Sequence, residues 1–435
     1  MNKQRKNLSI LKLTLSALIL LIFLSLNSFA TETQSSDPNK YLDAVREFAD
    51  NVLKYGRDTY GPLQTPLFVD GVNVTTHEPV KWINPDGTQW VLSNFASQQT
   101  LLRTLDGLSA ITGDNKYRQA AEEEIKYVFA NLRTPNGLLY WSENMAYDAQ
   151  ADEIYTNNGR THSFKGFYPY YELMWQVDPN VTRDFVESVW AAHIKNWSNL
   201  EMNRLSAINT LSVPKNWEQE YRGGPIYFQT TNRSFNSTGM NLCYAAVILS
   251  KFSGLEEPLT WSKRLAYRYV ETRDPHTGFS GIVYTQHPIP HPLAKHFEGH
   301  AVNQGTVFYD LGGGDPNERE PFFNVLILSP GLIGNYNCRQ SICEFLFSQL
   351  LGDSGREFQQ WASEELTARG KVLYRSENNS WVPMLADGTS LEGFVCQEDM
   401  PGWYYDSSMA GRLNRFLGLC ACLQGDWRRI HVDDG

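Results

Sequence analysis

The chain has 435 residues, 42% of them hydrophobic and 20% charged, with a net charge of −10. The apolar share is enough for a sizeable core. The first thirty residues hold four basic and no acidic side chains, so residues 31–435 alone carry −14. That excludes nucleic acid and anionic membrane surfaces as natural partners. An acidic polymer would need a local basic lining inside this acidic shell.

Residues 1–30 read as an export signal. Lys3, Arg5 and Lys6 form a charged start, Leu11 to Leu26 is apolar, and Ser28-Phe29-Ala30 is a small-x-small cleavage site. The expected organisation is a signal over 1–30 and one domain over 31–435. The chain is then periplasmic or secreted, with no membrane association after cleavage. The six cysteines, at 243, 338, 343, 396, 420 and 422, match no zinc-ribbon or redox spacing. They read as buried helical thiols, with a Cys338–Cys343 bridge as the alternative. Sequons such as Asn236-Ser237-Thr238 matter only in a glycosylating host.

From residue 101 onward one device repeats: helix, tight turn, helix. Leu101–Ile111 turns at Thr112-Gly113-Asp114 into Lys116–Leu132. Gly113 suits a left-handed helix end and Asp114 a helix start. Tyr170–Val177 ends at Asp178-Pro179, a cap followed by proline at the first helical position, and Val181–Trp197 comes next. Met240–Phe252 turns at Ser253-Gly254 into Leu259–Glu271. Ile342–Leu351 turns at Gly352-Asp353 into Gly355–Arg369. Gly411–Leu423 turns at Gly425-Asp426, after which only Trp427 to Gly435 remains. Five helical hairpins predict stacked antiparallel helices, and no strand–helix–strand alternation predicts a wound sheet. Long aromatic- and proline-rich loops, 58–90, 209–235 and 279–321, separate the hairpins and are the natural places for function. Their aromatic rings suit the faces of sugars, although any single ring is better explained as padding of the barrel rim.

One stretch, Gly137 to Leu205, carries more information than the rest. It contains GLLYWSENMAYDAQ, THSFKGFYPYYELMWQVDPN and WAAHIKNWSNLEMNRL. These segments resemble the periplasmic pectate lyases of polysaccharide lyase family 2, and the resemblance runs from about Lys54 to about Asp426. It implies an α/α toroid, a seven-hairpin barrel, here expected to be incomplete at its C-terminus. It also implies β-elimination on homogalacturonan with a divalent metal such as Mn, Ni or Ca. In that family a His follows the GLLYW segment, a Glu follows the His of an HELK-like segment and a His follows the Arg of an NRH segment, and these three hold the metal. The matching positions here are Asn144, Ser163 and Leu205. Asn and Ser offer weak neutral oxygens and Leu offers no donor, so no metal cofactor is expected there.

β-Elimination needs the C5 proton removed and the neighbouring carboxylate neutralised. The family's base is an Arg, and the matching residue is Arg204. A guanidinium, whose pKa lies above about 12, serves as a base only where crowding or burial favours its neutral form. Otherwise Arg204 grips a carboxylate with two parallel bonds, or pairs with Glu201. His162 and Lys165 in THSFK, and Arg273 in VETRDPHTG, stand at family-like positions as substrate-binding candidates. Each also has an ordinary structural reading.

A second metal possibility is the segment HPIPHPLAKHFEGH, where His296 and His300 share a face if Leu293–His300 is helical. Its prolines favour an irregular loop instead. The acid pairs Glu143/Asp148 and Glu398/Asp399 keep a two-carboxylate hydrolase of uronic-acid sugars in view. The expected partner is an acidic plant-type polysaccharide or oligogalacturonide. Three functions remain open: a lyase with altered or absent metal dependence, a non-catalytic carbohydrate-binding pseudoenzyme, and an α/α-barrel hydrolase.

Overall fold

A computed structural model describes residues 38–83, 86–142, 145–156, 161–164, 168–208, 217–224, 236–281, 327–328, 338–378, 380–381 and 384–385. Contacts divide the chain into two units, Met1–Lys54 and Tyr55–Gly435. The described part of the first is helix α1 (Pro38–Tyr55) as far as Lys54, on which Tyr41, Val45 and Phe48 recur at helical spacing. The export signal over 1–30 and the helix expected from Gly411 lie outside the described residues.

The described residues of the second unit form four antiparallel hairpins: α2 (Gln99–Thr112) with α3 (Lys116–Asn131), α4 (Tyr171–Val177) with α5 (Pro179–His193), α6 (Asn236–Ser253) with α7 (Glu257–Val270), and α8 (Cys338–Leu351) with α9 (Arg356–Leu373). Each was legible in the sequence, and the turn chemistry is the one read there. Gly113, Gly254 and Gly352 take the left-handed conformation at φ of 75°, 77° and 58°. Asp178 caps α5 by accepting the Asn180 and Val181 N–H groups at 2.9 and 3.0 Å. Asp114 accepts the Lys116 N–H at 3.1 Å, although α3 takes Asn115 as its capping residue.

The hairpins lie side by side in two layers. α6 is buried along every face from Asn236 to Leu249, while its partner α7 buries only a stripe containing Trp261, Leu265, Ala266 and Tyr269. A helix buried all round belongs to an inner layer and an amphipathic one to an outer layer. α6 packs on α4, α5, α7 and α8, and α7 also touches α9. Tyr244 on α6 stacks on Phe347 on α8 at 6.2 Å. This layering is that of an α/α toroid. A four-tryptophan cluster fills the space between α5 and α7. Trp190 lies 5.2 Å from Trp217, and Trp197 4.9 Å from Trp261. The Trp190 indole N–H is spent on the Leu242 carbonyl of α6 at 2.9 Å.

Short strands stand between the hairpins, which helical periodicity did not announce. β1 (Trp82–Ile83) pairs with β2 (Gln89–Trp90), β3 (Leu92–Ser93) with β4 (Met145–Asp148), and β4 with β5 (Glu153–Thr156). β6 (Thr161–Ser163) pairs with β9 (Leu205–Ala207), and β7 (Ile194–Asn196) with β8 (Glu201–Met202). Further on, β10 (Ile327–Leu328) pairs with β13 (Met384–Leu385), and β11 (Tyr374–Arg375) with β12 (Ser380–Trp381).

Two local expectations are corrected. The helix expected over Val181–Trp197 stops at His193, because Asn196 folds its side chain onto the Ser198 N–H at 3.0 Å and starts the turn from β7 to β8. The Cys338–Cys343 bridge does not form, because both residues lie on α8 and five residues along one helix put two side chains roughly 140° apart around the axis. Cys343 is buried, and Cys243 is a free buried thiol.

Candidate functional site

β6 and β9 bring the informative segments together. They pair antiparallel with Ser163 directly opposite Leu205 and His162 opposite Ser206. The Ser163 N–H donates to the Trp141 carbonyl at 3.2 Å, and an isolated bridge joins Ser142 to Met145. The Asn94 side chain holds the Ser142 carbonyl at 3.0 Å. Three segments more than 60 residues apart at their extremes therefore meet: residues 141, 142 and 145, β6 and β9. Asn144 itself lies outside the described residues, as do Lys165, Glu143, Glu398, Asp399 and the loop with His296 and His300.

Strand alternation sorts the side chains. His162, Phe164 and Ser206 turn inward. His162 and Phe164 pack on Phe185 or His193 of α5, with ring centroids 6.0–6.4 Å apart. The Ser206 hydroxyl donates to the Ala192 carbonyl at 2.9 Å. Ser163 and Leu205 share the opposite face. Directly opposed strand positions are close enough to bind one ion together, with Cβ atoms roughly 5 Å apart. The donors there do not fit a transition metal, because one is a neutral hydroxyl and the other a hydrocarbon. Among the described residues no three His, Cys, Asp or Glu side chains gather into a metal-binding group.

Arg204 stands immediately before β9, half-buried. Its carbonyl accepts the Phe164 N–H at 3.3 Å, and its neighbours are tied on both sides, Asn203 to His193 and Leu205 to Asn203. The next segment of the chain is fixed from α2. Arg103 donates to the Tyr168 and Pro169 carbonyls at 2.6 and 2.7 Å while stacked against the Tyr168 and Tyr170 rings.

The other sequence candidates are placed differently. His162, a substrate-binding candidate, is fully buried and held by His193 at 2.8 Å. Burial pushes both imidazoles below the ordinary histidine range, that of His193 to about 4. Arg273 reaches across to α9, with Nη1 2.6 Å from Glu364, Nη2 2.6 Å from the Trp361 carbonyl and Nε 3.3 Å from Glu365. Burial alone would raise the Glu365 carboxyl, but Arg369, Arg273 and Ser280 together hold it below the usual range. Asp148, from one of the acid pairs, is buried on β4 and accepts the Gln150 N–H at 2.9 Å. The residues that sequence reasoning missed are His193 and Asn203. Nothing in WAAHIKNW or in LEMNRL marks them until the chain has folded them against β6.

A family model of periplasmic pectate lyases matches residues 65–415. The pectate disaccharide-lyase of Dickeya dadantii (strain 3937) is 33% identical over 393 residues, covering 84% of this chain and 67% of that protein. Among solved structures, a D-mannose isomerase superposes with a TM-score of 0.46 at 12% identity, over 91% of this chain and 88% of that one. The α-1,2-mannosidase from Trichoderma reesei gives 0.44 at 14% identity, over 80% and 64%. Neither superposition is close enough to carry an argument. The family model spans most of the chain and the Dickeya lyase aligns over a similar share of it, so the chain belongs to the periplasmic pectate lyase family.

Proposed function

We propose that this chain is an exported lyase that cleaves pectate-type polyuronate by β-elimination, with no transition metal at the family's position. The observation that supports this reading is the β6–β9 pairing. It sets Arg204 beside the paired positions Ser163 and Leu205, whose side chains, a neutral hydroxyl and a hydrocarbon, suit no transition metal. Arg204 acts on the reacting uronate, either taking the C5 proton in its neutral form or gripping the carboxylate. The name of the Dickeya relative points to a disaccharide product. The signal over 1–30 is removed before the enzyme works, leaving residue 31 at the start of the mature chain.

The test is polygalacturonate assayed by the absorbance of the unsaturated product, with and without chelator and with and without added Mn. Activity that ignores the chelator supports the proposal. Activity abolished by chelator, and restored by Mn, overturns the metal-free reading.

The weak or absent metal donors at Asn144, Ser163 and Leu205 also favour a second reading, a carbohydrate-binding pseudoenzyme. Oligogalacturonide binding with no unsaturated product would establish it. Reducing ends released without that product would instead indicate a hydrolase.

A further inference from the structure

Arg204 sits in a closed circuit of hydrogen bonds that runs through two buried imidazoles. On β6, His162 Nδ1 lies 2.8 Å from His193 Nε2. His193 ends α5, and its Nδ1 lies 2.7 Å from the Asn203 carbonyl. The Asn203 N–H returns to the His193 carbonyl at 3.0 Å. The Asn203 side chain then spans Arg204 and accepts the Leu205 N–H at 2.9 Å. The circuit closes where the Phe164 N–H donates to the Arg204 carbonyl at 3.3 Å, two residues along the chain from His162.

The direction of the bonds is set by the chemistry at one end. A carbonyl oxygen only accepts, so His193 Nδ1 carries a hydrogen. Both rings are fully buried, and His162 packs against Phe164 and Phe185, surroundings that disfavour an imidazolium. A neutral His193 therefore presents a lone pair at Nε2, which accepts from His162 Nδ1–H. His162 donates to His193, and His193 donates to Asn203. His162 Nε2 is left as a buried acceptor with no hydrogen-bond partner among the described residues.

We propose that His193 and Asn203, backed by His162, are positioning residues that fix the backbone of Arg204 for its work on the uronate. The inference rests on the proposed role of Arg204 in the lyase reaction. With no metal donors at Ser163 and Leu205, the placement of the guanidinium depends on the main chain that carries it. Misplacement of a reacting group by about 1 Å costs on the order of a hundredfold in rate. The circuit restrains the residue before Arg204 through both its N–H and its carbonyl, and the residue after it through its N–H. None of these groups needs to touch substrate.

The experiment measures kcat and KM on polygalacturonate for wild type, Arg204→Ala, His193→Leu, His193→Asn and Asn203→Ala, with crystal structures of the last three variants. His193→Leu leaves the Asn203 carbonyl without its donor, and kcat is expected to fall about a hundredfold with KM within about twofold. An asparagine amide reaches close to the position of Nδ1, so His193→Asn should recover to within about tenfold of wild type, a rescue that a purely space-filling role would not show. Asn203→Ala removes a half-buried group, and should lower kcat about tenfold even if His193→Leu fails to fold. Wild-type kcat in Asn203→Ala, or equal losses in His193→Leu and His193→Asn, would overturn the proposal. If wild type forms no unsaturated product, the lyase reading falls instead. The positioning role is then decided by the crystal structures: a displaced Arg204 backbone in Asn203→Ala supports it and an unmoved one overturns it.

Discussion

At the scale of single residues, the informative replacements are chemical and not architectural. Ser163 and Leu205 face each other on β6 and β9, and the proposed absence of a metal rests on their side chains, a neutral hydroxyl and a hydrocarbon. The triple change Asn144→His, Ser163→Glu, Leu205→His is therefore expected to create a site for Mn or Ni. Calorimetric titration should show one bound ion, with affinity about 10–100-fold below a native site if supporting hydrogen bonds are missing. Absence of any binding would show that the scaffold has diverged as well. A second residue-scale prediction concerns Glu344 on α8. It is fully buried, its Oε1 accepts the Gln340 amide at 3.0 Å, and burial pushes its carboxyl up to about 8. The folded chain then holds a proton there that the unfolded chain releases above its ordinary value of 4.5. Stability from this group is complete below that value and falls as the pH rises towards 8. Glu344→Gln removes the proton and keeps the Gln340 contact. Its melting temperature should match wild type near pH 4 and exceed it at pH 8, by a difference on the order of 3 kcal/mol in stability. Equal melting at both pH values would count against a neutral buried acid.

At the scale of elements, the helices were legible because their ends are written locally. Asp178-Pro179 specifies the start of α5 through a carboxylate and a preset φ, and no distant residue takes part. Asp178→Ala should cost about 1 kcal/mol by urea denaturation, with product formation per folded molecule unchanged. The strands were not legible, for a physical reason. β6 and β9 are three residues each, too short to show a period, and each is a strand only because the other lies beside it. The candidate site was legible only as far as its segments. Arg204, Ser163 and Leu205 were named from the segments that carry them, whereas the contacts of His193 exist only once the end of α5 meets β6 and the turn before β9. The same limit applied to Arg273. Its three nitrogens are directed at α9, 88 to 92 residues further on, or at the nearby Ser280. Arg273→Gln is accordingly expected to lower the melting temperature by several degrees, as removal of one partner from a part-buried ion network does. Its KM for polygalacturonate should stay within about twofold of wild type, and a large rise in KM with unchanged melting would return it to substrate binding.

At the scale of the whole molecule, acidity and the site pull in opposite directions. A chain of net charge −10 repels a polyuronate at long range, so association should quicken as salt rises, opposite to the behaviour of a basic cleft protein. Stopped-flow binding of an oligogalacturonide at two ionic strengths checks this, and slower binding at high salt would reveal a concentrated basic lining. The sequence by itself determined the helical hairpins, their turns, the acidic balance and the family, because capping, periodicity, charge and matched segments are local or additive properties. Only the tertiary structure decided that Ser163 faces Leu205 and that Trp141 is hydrogen-bonded to β6. It also decided that His162 is a buried partner of His193 and that Arg273 serves α9. Each of these is a pairing between groups far apart in the chain, and a pairing has no signature in either partner until burial and hydrogen-bond satisfaction bring the two together.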